Sequence, residues 1–122
     1  MNLDALRQVF RASWGADTCD PHDLPEWRPD NPSRGQCGVT ALILQELLGG
    51  ELVLGEVHVD GVQVGHHYWN RLPDGRFVDL TADQFRPEEI VGGGEVQRRP
   101  PGPPGRCRDQ YNLLRQRVFA AI

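Results

Sequence analysis

The sequence predicts an α+β fold, an apolar helix packed on a small antiparallel meander sheet, with further helices at the two ends of the chain. Three observations predict it. Val39, Ala41, Leu42, Ile43, Leu44, Leu47 and Leu48 form an apolar run closed by Gly49-Gly50, the pattern of a buried helix with a glycine stop. Residues 51–80 carry strand-forming segments separated by two turn signals, Asp60-Gly61 and Pro73-Asp74-Gly75. Leu3, Leu6, Val9, Phe10 and Trp14 near one end, and Tyr111, Leu114, Val118 and Ala121 near the other, recur at the steps of an amphipathic helix.

Taken in order, the first helix runs about three turns and ends near Gly15. Asp17 to Ser33 holds Pro21, Pro25, Pro29 and Pro32, so it is a string of turns wrapped over the surface. Trp27 either pins that loop to the body or lines a cleft. Pro32 and Gly35 break the chain before the central helix, expected over about Gln36 to Leu48, so Cys37 falls at or near its N-terminus. Its apolar residues cover most of its circumference, which makes it central. Glu51 to Val59 is the first strand, with Gly55 marking a bulge. Val62 to Leu72 is the second and Arg76 to Leu80 the third. Thr81-Ala82-Asp83-Gln84 has capping-box spacing for a turn or short helix. Ile90 to Gly105 contains Gly92-Gly93-Gly94 and Pro100-Pro101-Gly102-Pro103-Pro104-Gly105, and predicts a flexible surface loop over about 91–105. Arg106 to Ile122 is a helix docked by its apolar face, with Arg108, Arg115 and Arg117 solvated.

The 122 residues suffice for one domain, 1–122. The apolar fraction is 39% and the charged fraction 25%, ordinary for a globular chain. A net charge of −4 gives no footprint for nucleic acid. No window approaches the roughly 18 apolar residues of a membrane span. Met1 to Trp14 lacks the apolar core of a signal peptide, so the expected compartment is the cytoplasm, where thiols stay reduced. Cys19, Cys37 and Cys107 are odd in number and form no CxxC pair, against both a disulfide framework and a zinc knuckle. Neither GxGxxG nor a P-loop is present, so no cofactor is expected.

The chemistry-bearing residues are few. At a helix N-terminus, unpaired N–H groups and the helix dipole stabilise a thiolate, one route to a nucleophilic cysteine. The bland alternative for Cys37 is a small buried residue in the first turn of a core helix. A thiolate nucleophile needs a base within reach, and the base needs a group that fixes its tautomer. Gly65-His66-His67-Tyr68-Trp69-Asn70 on the second strand and Asp79 at the end of the third offer both. His66 and His67 point to opposite strand faces, so one of them can meet Cys37. A two-residue turn at Asp74-Gly75 pairs Asn70 with Asp79 and favours His66. A three-residue turn at Pro73-Asp74-Gly75 pairs Trp69 with Asp79 and favours His67. Periodicity leaves both open. Asp79 alternatively caps the turn before Thr81. Gln36, with the Cys37 N–H, is a candidate oxyanion donor. Trp69 and Asn70 are candidates to line the cleft or support His67, with core packing the other role for Trp69. Cys19 is either structural or a redox partner of Cys37. A metal site of Cys37, His67 and a carboxylate has suitable ligand types but no spacing signature.

Gly35-Gln36-Cys37 before an apolar helix resembles the Gly-Gln-Cys that opens the nucleophile helix of transglutaminases. His67-Tyr68-Trp69-Asn70 resembles their His-x-Trp-Asn strand, and Asp79-Leu80-Thr81 their Asp-x-Thr. The resemblance implies a papain-like or transglutaminase-like core with Cys37, His67 and Asp79 as the triad. Gly38 stands where many of those enzymes carry Trp, and the chain is far shorter than a full transglutaminase. A closer resemblance covers nearly the whole chain. Trp14…Asp17-Thr18-Cys19, Asn31-Pro32-Ser33-Arg34-Gly35-Gln36-Cys37-Gly38-Val39-Thr40-Ala41, Gly49-Gly50-Glu51, His67-Tyr68-Trp69-Asn70 and Asp79-Leu80-Thr81…Gln84-Phe85 are similar to the YunG-like family of small bacterial proteins. That resemblance implies a cytosolic bacterial protein.

The functional expectation is thiol-dependent amide hydrolysis or acyl transfer on a small-molecule, peptide or protein amide. Cys37 attacks, His67 shuttles the proton and Asp79 orients His67. The alternative is a binding or scaffold protein that keeps the fold without turnover.

Overall fold

A computed structural model describes residues 2–122; Met1, the first residue of the N-terminal stretch and of the 1–122 domain, lies outside them. Helix α1 spans Leu3–Ser13 and begins where the Asn2 side chain accepts the N–H groups of Asp4 at 2.8 Å and Ala5 at 3.3 Å. Leu6 and Phe10 form its buried face. Short helical turns at Ala16–Thr18 and Leu24–Glu26 shape the proline-rich segment, and the Trp27 indole donates to Pro32 O at 3.1 Å, closing that segment on itself. Helix α2 spans Cys37–Leu48 and stops where Gly49 N–H bonds Gln45 O at 2.8 Å. Helix α3, Arg108–Ala121, buries Tyr111, Leu114 and Val118.

Between α2 and α3 lie strands β1, Glu51–Val59, β2, Val62–Arg71, β3, Phe77–Val78, and β4, Ile90–Gln97. They make one curled antiparallel sheet in the order β3-β2-β1-β4. Asp60 (φ 50°) and Gly61 (φ 77°) form the hairpin turn between β1 and β2, both positive as the twist of flanking strands requires. The core gathers Leu6, Phe10 and Trp14 with Val39, Ile43 and Leu44 of α2, Leu72, Val78 and Leu80 from the β3 side of the sheet, and Tyr111, Leu114 and Val118 of α3. Helix α2 thus packs on β2 and β1, α3 packs on α2, and α1 on α3. Each such large side chain contributes about 1.5–3 kcal/mol by leaving water. No helix among the described residues is long and apolar enough to cross a membrane.

Two expectations are corrected here. The stretch expected to be a flexible loop over about 91–105 is a strand through Gln97, paired along β1 from His58↔Ile90 to Leu52↔Gln97. Its glycines make room rather than slack. The Trp69 indole lies over Gly55 of β1 and Gly94 of β4, where an added Cβ would come within 2.7 and 2.9 Å of its ring. Gly94 is also the extra residue of a bulge, since the register shifts between Leu54↔Glu95 and Gly55↔Gly93. The proline-rich remainder is anchored on both sides. Arg99 donates to Leu42 O at 3.1 Å, and Arg106 bonds Asp20 at 2.7 and 2.8 Å. The second correction concerns α3, whose Arg115 and Arg117 are not simply solvated. Arg115 pairs with Glu46 at 3.2 Å, and Arg117 donates to Ser13 O at 3.0 Å and pairs with Asp17.

Candidate active site

The site forms where the start of α2 meets the β2–β3 side of the sheet. Cys37 is the first residue of α2, and Gln36, its N-cap residue, makes no capping hydrogen bond with its side chain. The first-turn N–H groups therefore have no side-chain acceptor from the cap beside the thiol. The segment after α1 holds this helix start. Trp14 Nε1 donates to Thr40 Oγ1 at 2.9 Å, Gln36 Nε2 donates to Gly15 O at 3.0 Å, and Thr18 Oγ1 donates to Gln36 Oε1 at 2.8 Å.

On the sheet, β2 pairs with β3 as Asn70↔Val78 and Arg71↔Phe77. Leu72 N–H bonds Arg76 O at 2.8 Å across Pro73-Asp74-Gly75, so the turn is the three-residue alternative. That register puts Asp79, one residue beyond β3, on the face of His67. His67 is fully buried and its Nε2 donates to Asp79 Oδ2 at 2.6 Å. The other carboxylate oxygen, Oδ1, accepts Thr81 N–H at 3.2 Å and Thr81 Oγ1 at 3.4 Å. Asp79 therefore serves both the imidazole and the turn that follows, one oxygen for each. Thr81 does begin a short helical turn, Ala82–Gln84, but its hydroxyl bonds Asp79 and not the capping-box N–H.

His67 is held by rings as well as by charge. Trp69 stacks on it with centroids 5.5 Å apart and planes at 28°, and Phe85 meets it edge-on at 4.7 Å and 86°. Burial acting alone would lower its pKa. The Asp79 hydrogen bond, then the closeness and charge of Cys37, reverse this and push it up to about 9. Cys37 is thus the second ionisable group acting on the ring. Nδ1, the other ring nitrogen, is buried and completes no hydrogen bond, so the thiol and the ring are neighbours without a closed bond between them. His66 faces out, exposed, with its ring beside Gln63.

The supporting residues expected around the triad divide. Trp69 is half-buried beside His67, in the supporting position. Gln36 is fully buried with both amide atoms committed to Gly15 and Thr18, so it anchors the helix start instead of lining an oxyanion pocket. Asn70, on the opposite strand face from His67, is buried and donates to Ala41 O at 2.9 Å, tying β2 to α2 rather than lining a cleft. The sequence predicts Thr81 and Gln84 only as a capping pair and Phe85 only through the family resemblance; their place beside the His67–Asp79 pair is new. The available signal was Asp79-Leu80-Thr81, since an Asp commonly accepts the N–H two residues on.

All three cysteines are free. Cys19 is buried against Gly35 and donates to Asp20 O at 3.3 Å; burial, then Asp23 and Asp20, push its thiol up to about 12. Burial and Asp20 also raise Cys107. Cys37 differs from both in having the Asp79-bonded imidazole beside it. A groove of about 560 Å³ is lined by Asp4, Arg7, Arg11, Trp14, Asp79 and Asp83 among others. Among the described residues no group of three or more His, Cys, Asp or Glu is arranged to hold a metal ion.

The fold and this site define a small α+β protein with a cysteine at a helix start facing a His–Asp pair on a curled sheet. The chain belongs to the YunG family: the family described as "YunG protein" matches residues 2–122. It is 31% identical over 84 residues to the Bacillus subtilis (strain 168) protein named "Uncharacterized protein YunG", a match covering 69% of this chain and 64% of that protein's length. No solved structure matches.

Proposed function

We propose that this protein performs thiol-dependent acyl chemistry, hydrolysis or transfer at an amide or ester carbonyl, on a papain-like or transglutaminase-like arrangement. The observation that carries the reading is His67, a buried imidazole bonded to Asp79 at 2.6 Å and raised to about 9 with Cys37 among the causes. A ring so raised is protonated at neutral pH, and an imidazolium is the kind of partner that activates a neighbouring thiol as a nucleophile. The Cys37 thiolate attacks the carbonyl carbon, and the oxyanion forms near the first-turn N–H groups of α2. His67 gives its proton to the leaving amine or alcohol, and the C–N or C–O bond breaks to leave a thioester. Neutral His67 then takes a proton from water or an acceptor amine, whose attack breaks the thioester C–S bond, releases the acyl group and restores the thiolate beside the protonated ring. Asp79 holds the ring throughout. The order of the three groups, Cys on a helix start, His on a strand, Asp past the next strand, supports the papain-like comparison.

The unbonded Nδ1 favours the other reading, a scaffold that keeps the arrangement without turnover. A p-nitrophenyl ester distinguishes them by mass spectrometry. Wild type acquires one acyl group on Cys37 that decays with time, and His67→Ala acquires it roughly 100-fold more slowly, the usual scale of a lost general base. Acylation of Cys37 no faster than that of glutathione, with no effect of His67→Ala, establishes the scaffold.

A further inference from the structure

We infer that Gln84 is a positioning residue that sets Cys37 in register with the His67–Asp79 pair. The inference rests on the proposed pairing of those groups. Gln84 is buried, 4% exposed, in the short turn after Asp79. Its side chain bridges two segments that no backbone pairing joins. Oε1 accepts the Gly35 N–H at 3.3 Å, and Nε2 donates to Thr81 O at 3.1 Å. On one side of this bridge, Gly35 is two residues before the nucleophile. On the other, Thr81 N–H and Oγ1 fix Asp79 Oδ1, whose partner oxygen holds His67. A hydrogen-bonded path therefore runs from the backbone before Cys37 through one amide to the carboxylate behind the base.

The main chain at the same residue repeats the tie. Gln84 O accepts Asn31 Nδ2 at 3.0 Å and Arg34 Nη1 at 3.5 Å, both from the nucleophile-bearing loop. The next residue, Phe85, packs edge-on against the His67 ring. One dipeptide thus touches the nucleophile loop, the support of the acid and the base. A buried amide with a donor NH2 end and an acceptor C=O end is suited to this, because each segment offers the complementary group. Gly35 presents an N–H and Thr81 a C=O. The loop and the turn lie 49 residues apart in sequence, so their relative placement depends on such cross-links. A small displacement of a reacting group can cost on the order of 100-fold in rate.

Two variants read the two halves. Gln84→Glu keeps an acceptor for Gly35 and loses the donor to Thr81; Gln84→Leu loses both. Three measurements are made on each folded protein: the pH profile of Cys37 alkylation by iodoacetamide, the NMR titration of the His67 ring, and hydrogen exchange of the Gly35 amide. Gln84→Leu is expected to slow Cys37 alkylation at pH 7 about tenfold while leaving the rate at pH 10 unchanged, to lower the His67 titration midpoint, and to speed Gly35 exchange. Gln84→Glu is expected to keep Gly35 protected and still lower the His67 midpoint. If wild-type Cys37 alkylates slowly at every pH yet the His67 midpoint falls in both variants, the positioning role stands and the acyl chemistry fails. If wild-type alkylation is fast and His67-dependent while both variants leave its profile and the His67 midpoint unmoved, Gln84 is structural only and the inference is overturned. Should Gln84→Leu not fold, Gln84→Glu and Gly35 exchange in wild type decide; a Gly35 amide that exchanges as freely as an exposed one overturns it.

Discussion

Replacing Asp79 with Asn removes the carboxylate from His67 while keeping its shape, and the consequence follows from the raised pKa. His67 stands at about 9 in the folded protein against an ordinary value of 6.5. At 1.36 kcal/mol per pKa unit, that difference amounts to about 3 kcal/mol favouring the charged over the neutral ring in the fold. The folded value is the higher one. The stabilisation is therefore fully present below about pH 6.5, declines as pH rises from there, and is gone above about 9. For 122 residues the unfolding entropy is roughly 0.26 kcal/mol/K, so this term moves Tm by roughly 10 °C across that window. Burial opposes the charged ring, and the Asp79 hydrogen bond is the largest contribution offsetting it. Asp79→Asn should therefore remove more than half of the Tm decline between pH 6 and pH 9. Circular-dichroism melts on both proteins across that range measure it. Equal declines in wild type and Asp79→Asn refute the assigned cause of the His67 shift.

Two further substitutions test the frame around the site. Gly35→Ala should destabilise by about 2–4 kcal/mol in urea denaturation. Gly35 sits at φ +72°, and a Cβ there would collide with Cys19 Sγ and crowd Asp23. Arg34→Leu should cost about 3 kcal/mol at pH 7, because it takes from buried Glu89 the guanidinium that holds it at 2.8 and 3.1 Å and leaves it the Arg86 N–H at 2.8 Å. Burial raises the Glu89 pKa, but Arg34 and then the Arg86 N–H bring it below its ordinary value, so the Arg34 contribution should fade as pH falls through that lowered value.

Much of this arrangement was legible in the sequence because it rests on local signals. Gly35 and Gly49-Gly50 bracketed α2 to within a residue, and Asp60-Gly61 and Pro73-Asp74-Gly75 fixed the hairpins. Parity along β2 reduced the histidines to two registers and left both open; the three-residue turn of the structure selects His67. What escaped was what depends on distant partners. Gly92-Gly93-Gly94 has the composition of a loop, and its strand character comes from β1 pairing and from the bulk of Trp69 resting on Gly94. Gln36 offered an amide beside Cys37, but its direction is set by Gly15 and Thr18, about 20 residues upstream. Asn70 followed His67 in a motif, yet alternation put it on the other strand face, against Ala41. Gln84 was legible as a capping-box residue, but its tie to Gly35 was not, because its partners Gly35 and Thr81 contribute backbone atoms only.

The most direct test of the central claim, that His67 acts on Cys37 as an imidazolium beside a thiolate, is the rate of Cys37 alkylation by iodoacetamide from pH 5 to pH 10. The rate is read on the Cys37 peptide by mass spectrometry, so that Cys19 and Cys107 do not contribute. The account predicts that wild-type Cys37 reacts at pH 6.5 at a sizeable fraction of its alkaline rate. In His67→Ala that neutral-pH reactivity is lost, and the rate rises only as a free thiol ionises, near about 8.5. Superimposable profiles in the two proteins, both following the free thiol, contradict it.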